Sequence, residues 1–208
     1  MEYKTEQESF WAQSFGNEYT MRSGSEKKIA AKTAMFADIL RRTEGVQSCL
    51  ELGANKGTNL IALKRLIPGV RLEAVEINQQ AAETCEKIEG VKVFCGSIFD
   101  YPIRENAFDL VFTRGVLIHI NPDNLKDVYH TLYQCSSKYI MVAEYYNPTP
   151  VEVDYRGYQG KLFKRDFAGE IMDLYPDVEL IDYKFVYERD PNFPGDDITW
   201  FLLRKKTK

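Results

Sequence analysis

Short apolar runs recur along the chain, and each has the length of a buried strand. Five such strands are predicted before the C-terminal region, at Ser48–Leu52, Arg71–Glu76, Val91–Cys95, Ala107–Thr113 and Tyr139–Ala143. Because helix-length segments separate them, the pattern predicts a parallel sheet with helices on both faces.

Apolar residues at helical spacing occupy the segments between these strands. Ser25 is a capping residue for a first helix that ends near Gly45. The apolar stripe of this helix consists of Ile29, Met35, Phe36, Ile39 and Leu40. Further helices are predicted around Leu60–Ile67, at Gln79–Ile88, and at Leu125–Tyr133 after the cap Asn121-Pro122-Asp123.

The C-terminal region departs from this order. A helix is predicted at Phe163–Leu174, followed by two alternating segments, Glu179–Tyr187 and Thr199–Arg204. A loop rich in proline, glycine and aspartate at Asp190–Asp197 joins the two segments. This region therefore predicts an antiparallel pair at the end of the sheet.

Length and composition predict one domain over residues 1–208. The 208 residues are 44% hydrophobic and 28% charged, which suits one substantial core. Apolar runs such as Val116–Ile120 are far too short to span a membrane. The N-terminus, beginning Met1-Glu2-Tyr3-Lys4, shows no secretory signal, so a cytoplasmic location without membrane partners is expected.

Charge and cysteine spacing narrow the function classes. A formal net charge of -4 argues against broad nucleic-acid binding. The four cysteines, Cys49, Cys85, Cys95 and Cys135, lack the C-x-x-C spacing of zinc sites, and the chain has only two histidines. Buried thiols without a metal are expected, and the oligomeric state is left open.

A glycine turn follows the first predicted strand. Glu51, Gly53, Asn55 and Gly57 form the pattern E-x-G-x-x-x-G, and the second strand ends in the acid Glu76. A turn of this kind lets backbone approach a ligand at a helix N-terminus, and the acid accepts ribose hydroxyls. The bland alternative is an ordinary strand-to-helix turn, but the pattern favours an adenosine-containing cofactor.

The turn also indicates which cofactor is bound. Asn55 stands where a dinucleotide site has its second glycine, which disfavours a pyrophosphate. The P-loop pattern for a triphosphate is also lacking, although Gly57-Thr58 resembles its end. S-adenosylmethionine, which carries ribose and adenine without phosphate, remains as the common alternative.

The residues that follow the strands carry a family resemblance. Glu76-Ile77-Asn78, Gly96-Ser97-Ile98 and Thr113-Arg114-Gly115 follow strands 2, 3 and 4, at the edge where open sheets bind ligands. Together with the glycine turn, they resemble the class I S-adenosylmethionine-dependent methyltransferases. This resemblance implies a Rossmann-like α/β fold with a mostly parallel seven-stranded sheet and a C-terminal antiparallel strand.

Longer phrases carry a narrower resemblance. They are Phe10-Trp11 with Phe15–Tyr19 and Arg22, GVLIHINPDNL at 115–125, AEYYNPTPVEVDYRGYQGKLFKRDFAGE at 143–170, and RDPNFPGDDITWFLL at 189–203. These phrases resemble the pseudaminic acid biosynthesis-associated methylases. That family label rests on genetic association, and it does not by itself establish a substrate.

The resemblance implies a cofactor role for several residues. Gly53 and Gly57 shape the turn around the methionine portion, and Glu76 accepts the ribose hydroxyls. Ser97 replaces the aspartate that many relatives use to bind adenine. Recognition of adenine is therefore left to the Ser97 hydroxyl and the Ile98 backbone. The full set of expected cofactor-binding residues is Trp11, Tyr19, Arg22, Glu51, Gly53, Asn55, Gly57, Glu76, Ile77, Ser97, Ile98 and Thr113. Segment 1–24 is expected to act as a lid, with Arg22 pairing the cofactor carboxylate, or else to pack on the sheet edge.

Segment 144–170 is the expected acceptor site, because prolines stiffen a loop rich in tyrosine and cations. Arg156 is the preferred clamp for an anionic group. The expected substrate-binding residues are Arg114, Tyr145, Tyr146, Asn147, Arg156, Tyr158, Lys161 and Arg165. Some of these cations alternatively belong to a solvated helix.

Two residues are candidate bases. His119 lies near a strand end, and its ordinary pKa suits proton removal, although a structural histidine is the alternative. Glu144, at the end of strand 5, is the second candidate. The expected reaction is methyl transfer to a small, polar, acidic sugar or nucleotide sugar, with O-methylation slightly favoured. Another small anionic metabolite, an inactive cofactor-binding scaffold and a nucleic-acid methyltransferase are the alternatives.

Overall fold

The computed structural model describes residues 3–21 and 25–206, and a seven-stranded sheet forms the centre of this part of the chain. The strands of the main sheet are β1 (Ser48–Leu52), β2 (Arg71–Glu76), β3 (Val91–Cys95), β4 (Phe108–Arg114), β5 (Ser136–Glu144), β8 (Val178–Val186) and β9 (Ile198–Lys205). Their order across the sheet is β3-β2-β1-β4-β5-β9-β8. The β9 strand runs opposite to the other six strands of this sheet, which confirms the predicted fold class.

Helices cover both faces of this sheet. In chain order they are α1 (Glu6–Ala12), α2 (Ser14–Met21), α3 (Glu26–Leu40), α4 (Thr58–Leu66), α5 (Gln79–Cys85), α6 (Leu125–Cys135) and α7 (Phe167–Leu174). The α3, α4 and α5 helices pack on one face, and α6 and α7 pack on the other. Side chains of β1 alternate between these two cores, because Leu50 and Leu52 join the α6 side while Cys49 joins the α3 side.

Local capping explains several helix starts. The Ser25 hydroxyl accepts a hydrogen bond from the Lys28 N–H, as the sequence predicts, and the Asn78 side chain accepts one from the Ala81 N–H. The prediction of a helix beginning at Phe163 is wrong, because the Asp166 side chain caps α7 by accepting from the Gly169 N–H. Phe163–Lys164 instead forms the short strand β7, which pairs with β6 (Val151–Glu152).

Among the described residues, no helix is long and apolar enough to cross a membrane. The buried strands bring the carboxyl ends of β1, β2, β3 and β4 to one edge of the sheet. The turns after these strands, together with α1 and α2, enclose a cavity. The fold therefore places the predicted cofactor residues around a single space.

Candidate functional site

The cavity is lined by the turns that follow β1, β2, β3 and β4. Its lining from these turns comprises Gly53, Ala54, Asn55, Val75, Glu76, Ile77, Asn78, Gly96, Ser97, Ile98, Phe99, Arg114, Gly115, Val116, His119 and Ile120. Residues of α1, α2 and α3 add Gln7, Glu8, Trp11, Gly16, Tyr19, Thr20 and Lys32. Eight of the twelve expected cofactor residues are in this lining.

Glu76 closes the end of β2 with a buried carboxylate. Its Oε2 accepts from the Asn55 N–H at 2.6 Å, and its Oε1 accepts from the Asn78 N–H at 2.8 Å. Burial raises the pKa of Glu76, while the hydrogen bonds from Asn78 and Asn55 oppose this rise. The carboxylate is thus fixed in place and retains further acceptor positions for hydroxyls.

The glycine turn has the conformation that its sequence predicts. Gly53 and Gly57 have φ values of +78° and +71°, and Asn55 is also left-handed at +49°. A Cβ atom at Gly53 would lie 2.5 Å from Val116 Cγ2. A Cβ at Gly57 would lie 2.6 Å from Cys85 Sγ, so this glycine permits close packing between α4 and α5 instead of lining the cavity.

The N-terminal helices α1 and α2 cover the side of the cavity that is formed by the turns after β2 and β3. Ser97 donates to the buried Glu8 carboxylate, and the Glu8 side chain also completes a capping box with Thr5. Gln7 Nε2 donates to the Gly160 carbonyl at 2.8 Å, and Asn78 Nδ2 donates to Asn17 Oδ1 at 2.7 Å. These contacts hold the expected lid segment on the cavity, while Arg22 lies outside the described residues.

Sequence reasoning missed Lys32, Thr58 and Asn59, polar residues that lie behind the glycine turn near the expected residue Glu51. Asn59 Nδ2 donates to the fully buried Glu51 carboxylate, and Lys32 Nζ donates to Thr58 Oγ1. Burial raises the pKa of Glu51, and burial followed by the charge of Arg114 lowers the pKa of Lys32. Lys32 and Asn59 line the cavity, whereas Glu51 and Thr113 are buried beside it.

Unpaired polar atoms concentrate at this cavity. Among the described residues, Gln7 Oε1, Trp11 Nε1, Asn59 Oδ1 and Arg114 Nε are buried without a hydrogen-bond partner, and all four residues line the cavity. Buried polar groups without partners are rare because each costs free energy. Their concentration here fits a polar ligand that supplies both acceptors and donors.

His119 faces this cavity in a defined tautomer. Its Nδ1 lies 2.6 Å from the Lys161 carbonyl, which accepts, so the neutral ring carries its proton on Nδ1 and has a lone pair on Nε2. The Trp11 and Tyr155 rings pack on it, with centroids at 4.5 Å and 4.9 Å. Burial lowers the pKa of His119 to about 4, so the ring is neutral at neutral pH.

Glu144 supports the loop that carries His119 instead of lining the cavity. Its carboxylate accepts from the Val116 N–H at 3.0 Å, and the side chain is almost fully buried. Burial raises the pKa of Glu144 to about 7. Glu144 therefore stabilises this loop. It does not line the cavity, although the sequence-based hypothesis of a second base requires it to do so.

The expected acceptor residues divide into two groups. Arg114 lines the cavity, and the charges of Asp196, Arg114 and Arg156 all act on the Tyr19 hydroxyl, whose pKa is raised mainly by desolvation. Arg114 Nη2 donates to Asp196 Oδ2 at 2.6 Å. Tyr145 belongs to the same group, because the charge of Asp196 also acts on its hydroxyl.

The remaining acceptor candidates have other contacts. Lys161 pairs with Glu6, Arg165 pairs with Glu170, and the Asn147 side chain donates to the Thr149 carbonyl. Tyr146 packs near Phe201, and Tyr158 packs against Phe10. The structure therefore does not bring these five side chains into the lining of the cavity.

Comparison with a family model identifies the central part of the chain. Residues 49–138 match the model of a family described as a methyltransferase domain. The matched stretch includes the glycine turn, Glu76, Ser97, Arg114 and His119, so it covers the four strand ends that line the cavity. A search among curated protein sequences found no match.

Solved structures show the same fold at low identity. A Burkholderia thailandensis 1,6-didemethyltoxoflavin-N1-methyltransferase, with 1,6-didemethyltoxoflavin and S-adenosylhomocysteine bound, has a TM-score of 0.70 at 14% identity and covers 96% of this chain and 87% of its own. The mitomycin 7-O-methyltransferase MmcR has a TM-score of 0.67 at 12% identity, covering 97% and 61%. The plantazolicin methyltransferase BpumL, with S-adenosylhomocysteine and a monoazolic analogue, has a TM-score of 0.65 at 13% identity, covering 97% and 94%. These likenesses confirm the class I methyltransferase fold.

Proposed function

We propose that the protein is an S-adenosylmethionine-dependent methyltransferase that acts on a small, polar, acidic sugar or nucleotide sugar. The observation that carries the cofactor assignment is the cavity at the strand ends, where buried Glu76 and four unpaired polar atoms converge. The methyltransferase domain match and the ligands bound in structures of the same fold support it. O-methylation is favoured over N-methylation because His119 can serve as a base.

Residues of the cavity lining suit two parts of the proposed cofactor, its ribose and its adenine. Glu76 accepts the ribose hydroxyls, and Ser97 with the Ile98 backbone faces the adenine. Trp11 and Tyr19 of the N-terminal helices cover the ligand. When bound, S-adenosylmethionine supplies an electrophilic methyl group on a sulfonium. The enclosing side chains orient the acceptor and exclude water, which is most of what this displacement requires.

His119 is the proposed base for a hydroxyl acceptor. With its proton fixed on Nδ1 by the Lys161 carbonyl, Nε2 takes the hydroxyl proton as the acceptor oxygen forms its bond to the methyl carbon. The low pKa makes Nε2 a weak base, which suits a proton that becomes acidic only as the new bond forms. Glu144 orients the loop behind it and transfers no proton.

The proposed acceptor is anionic because an exposed cation, Arg156, lies close enough to the cavity for its charge to act on Tyr19 in the lining. Arg156 is exposed, lies over the Tyr155 ring at 5.6 Å, and has no carboxylate partner among the described residues. Tyr155 in turn packs on His119. An anion held by Arg156 therefore lies close to the proposed base. The resemblance to pseudaminic acid-associated methylases supports an acidic sugar, and a cytoplasmic location stays a prediction.

The test is a transfer assay with a panel of acceptors. Release of S-adenosylhomocysteine is measured with CMP- and UDP-linked acidic sugars, with their free forms, and with their neutral methyl esters. Turnover of the acidic sugars but not of the esters is the expected result, with the Glu76→Ala variant as the inactive control. Turnover of a different small anion supports the alternative acceptor class. Cofactor binding without any turnover across the panel would favour a scaffold.

A further inference from the structure

Two basic side chains line the cavity near the glycine turn. Lys32 on α3 and Arg114 at the end of β4 are both in the lining, and the charge of Arg114 lowers the pKa of Lys32. Two facing cations repel each other in a poorly hydrated space, and the only acid that pairs directly with either is Asp196, on Arg114, among the described residues. An anion beside Lys32 would relieve this repulsion.

An acceptor for a ligand donor lies in the lining of the same cavity. Asn59 is 5% exposed, and its Nδ2 is committed to Glu51, which leaves its Oδ1 for another partner. Asn59 Oδ1 is buried without a donor, and Glu51 Oε2 behind it also has none. A ligand ammonium would donate to Asn59 Oδ1, and Glu51 behind it holds the Asn59 amide in the orientation that leaves this oxygen available.

We propose that Lys32 binds the carboxylate of the amino-acid end of the cofactor and that Asn59, supported by Glu51, accepts from its ammonium. The inference rests on the proposed cofactor, whose amino-acid end carries these two opposite charges next to each other. It places that end at the glycine turn, between α3 and α4. It also assigns to Lys32 the carboxylate contact that the sequence assigned to Arg22.

The test compares ligands that share adenosine but differ in the amino-acid end. S-adenosylhomocysteine carries both charges, whereas 5′-methylthioadenosine carries neither. Dissociation constants are measured by calorimetry for the wild-type protein, for Lys32→Met and Asn59→Leu, and for the control Lys28→Met. Lys28 is exposed one turn earlier on α3 and does not line the cavity, so its variant removes an equal charge without removing the contact.

We expect Lys32→Met to raise the dissociation constant of S-adenosylhomocysteine about tenfold or more, as loss of a charge-assisted hydrogen bond does. Asn59→Leu should act in the same direction. Both variants should bind 5′-methylthioadenosine within about twofold of the wild type, and Lys28→Met should leave both ligands unchanged.

Other outcomes overturn the inference in separable ways. If Lys32→Met weakens both ligands equally, Lys32 shapes the cavity and does not bind the carboxylate. If it weakens binding of neither ligand, Lys32 does not bind the cofactor carboxylate. If the wild-type protein binds neither adenosine compound, the proposed cofactor itself is wrong and the inference fails with it.

Discussion

At the scale of single residues, the site depends on a few buried groups that do not use all of their hydrogen-bonding positions within the fold. Glu76 is the clearest case, because its two oxygens fix the Asn55 and Asn78 N–H groups and still have lone pairs for a ligand. His119 is the second, because the Lys161 carbonyl fixes only one of its nitrogens. Each of the two leads to a prediction.

Replacing Glu76 by alanine should abolish cofactor binding. The change removes the proposed acceptor of the ribose hydroxyls and leaves the Asn55 and Asn78 N–H groups unpaired. We expect the dissociation constant of S-adenosylhomocysteine in calorimetry to rise by more than about 100-fold, since two charge-assisted hydrogen bonds are worth about 3 kcal/mol or more. The exposed Glu86→Ala variant, just after α5, is the control and should bind normally. Unchanged affinity in Glu76→Ala would overturn the ribose assignment.

His119 should make stability sensitive to acid. Its folded-state pKa of about 4 lies below the ordinary value of 6.5, so between these values the unfolded chain takes up a proton that the folded protein does not. Stability from this group is therefore complete above about pH 6.5 and is lost as the pH falls towards 4. The full loss, reached below about pH 4, amounts to about 3 kcal/mol.

The measurement is urea unfolding between pH 7 and pH 4 for the wild type and for His119→Gln. The glutamine amide can still donate to the Lys161 carbonyl but takes up no proton in this range. The difference in unfolding free energy between the two proteins should shrink as the pH falls. The variant of the exposed His130, His130→Gln, is the control. Parallel curves for wild type and His119→Gln would show that His119 titrates normally.

At the scale of elements, the N-terminal helices are held on the cavity by polar contacts and by the half-buried aromatic rings of Phe10, Trp11 and Phe15 that pack outside the two apolar cores. The bonds from Gln7 to the Gly160 carbonyl and from Ser97 to Glu8 connect α1 to the body of the fold, together with the Lys161–Glu6 ion pair. Neither helix contributes to the two large apolar cores. Elements with few buried apolar contacts open at low free-energy cost. This is the behaviour expected of a lid.

Ligand binding should therefore slow amide exchange in α1 and α2. We expect saturating S-adenosylhomocysteine to slow exchange of peptides covering residues 5–21 by about tenfold or more, because the ligand stabilises only the closed arrangement. Helix α6, which is packed in the core, is the internal reference and should change little. Equal slowing in α6 would indicate general stabilisation, and no slowing in residues 5–21 would contradict the lid.

Some elements are predicted well from the sequence and others are not, for physical reasons. The bounds of β1, β2 and β3 match the prediction, because apolar runs and turn residues are local signals. The two-residue strands β6 and β7 are too short to give such a signal, so Phe163 was assigned to a helix. Lys32, Asn59 and Glu8 were missed because helical residues reach the cavity only through packing of their helices, which no local pattern encodes.

At the scale of the whole molecule, the distribution of charge sets what reaches the site. The chain carries a formal net charge of -4, which disfavours the approach of an anion over most of its surface. Lys161 and Arg165 are paired with Glu6 and Glu170, so they add little net positive charge at the mouth. Arg156 is the exposed cation there that has no acidic partner among the described residues.

Replacing Arg156 by alanine should therefore weaken acceptor binding selectively. For an acidic acceptor we expect KM to rise about five- to tenfold, the loss of one charge-assisted contact at an exposed site, while the dissociation constant of S-adenosylhomocysteine stays the same. Added salt should raise the wild-type KM and narrow its difference from the variant, because screening acts on exposed charges. The control is Arg41→Ala, which removes an exposed charge after α3 that does not line the cavity. An equal loss with a neutral methyl ester of the acceptor would show that Arg156 shapes the loop and does not bind the anion.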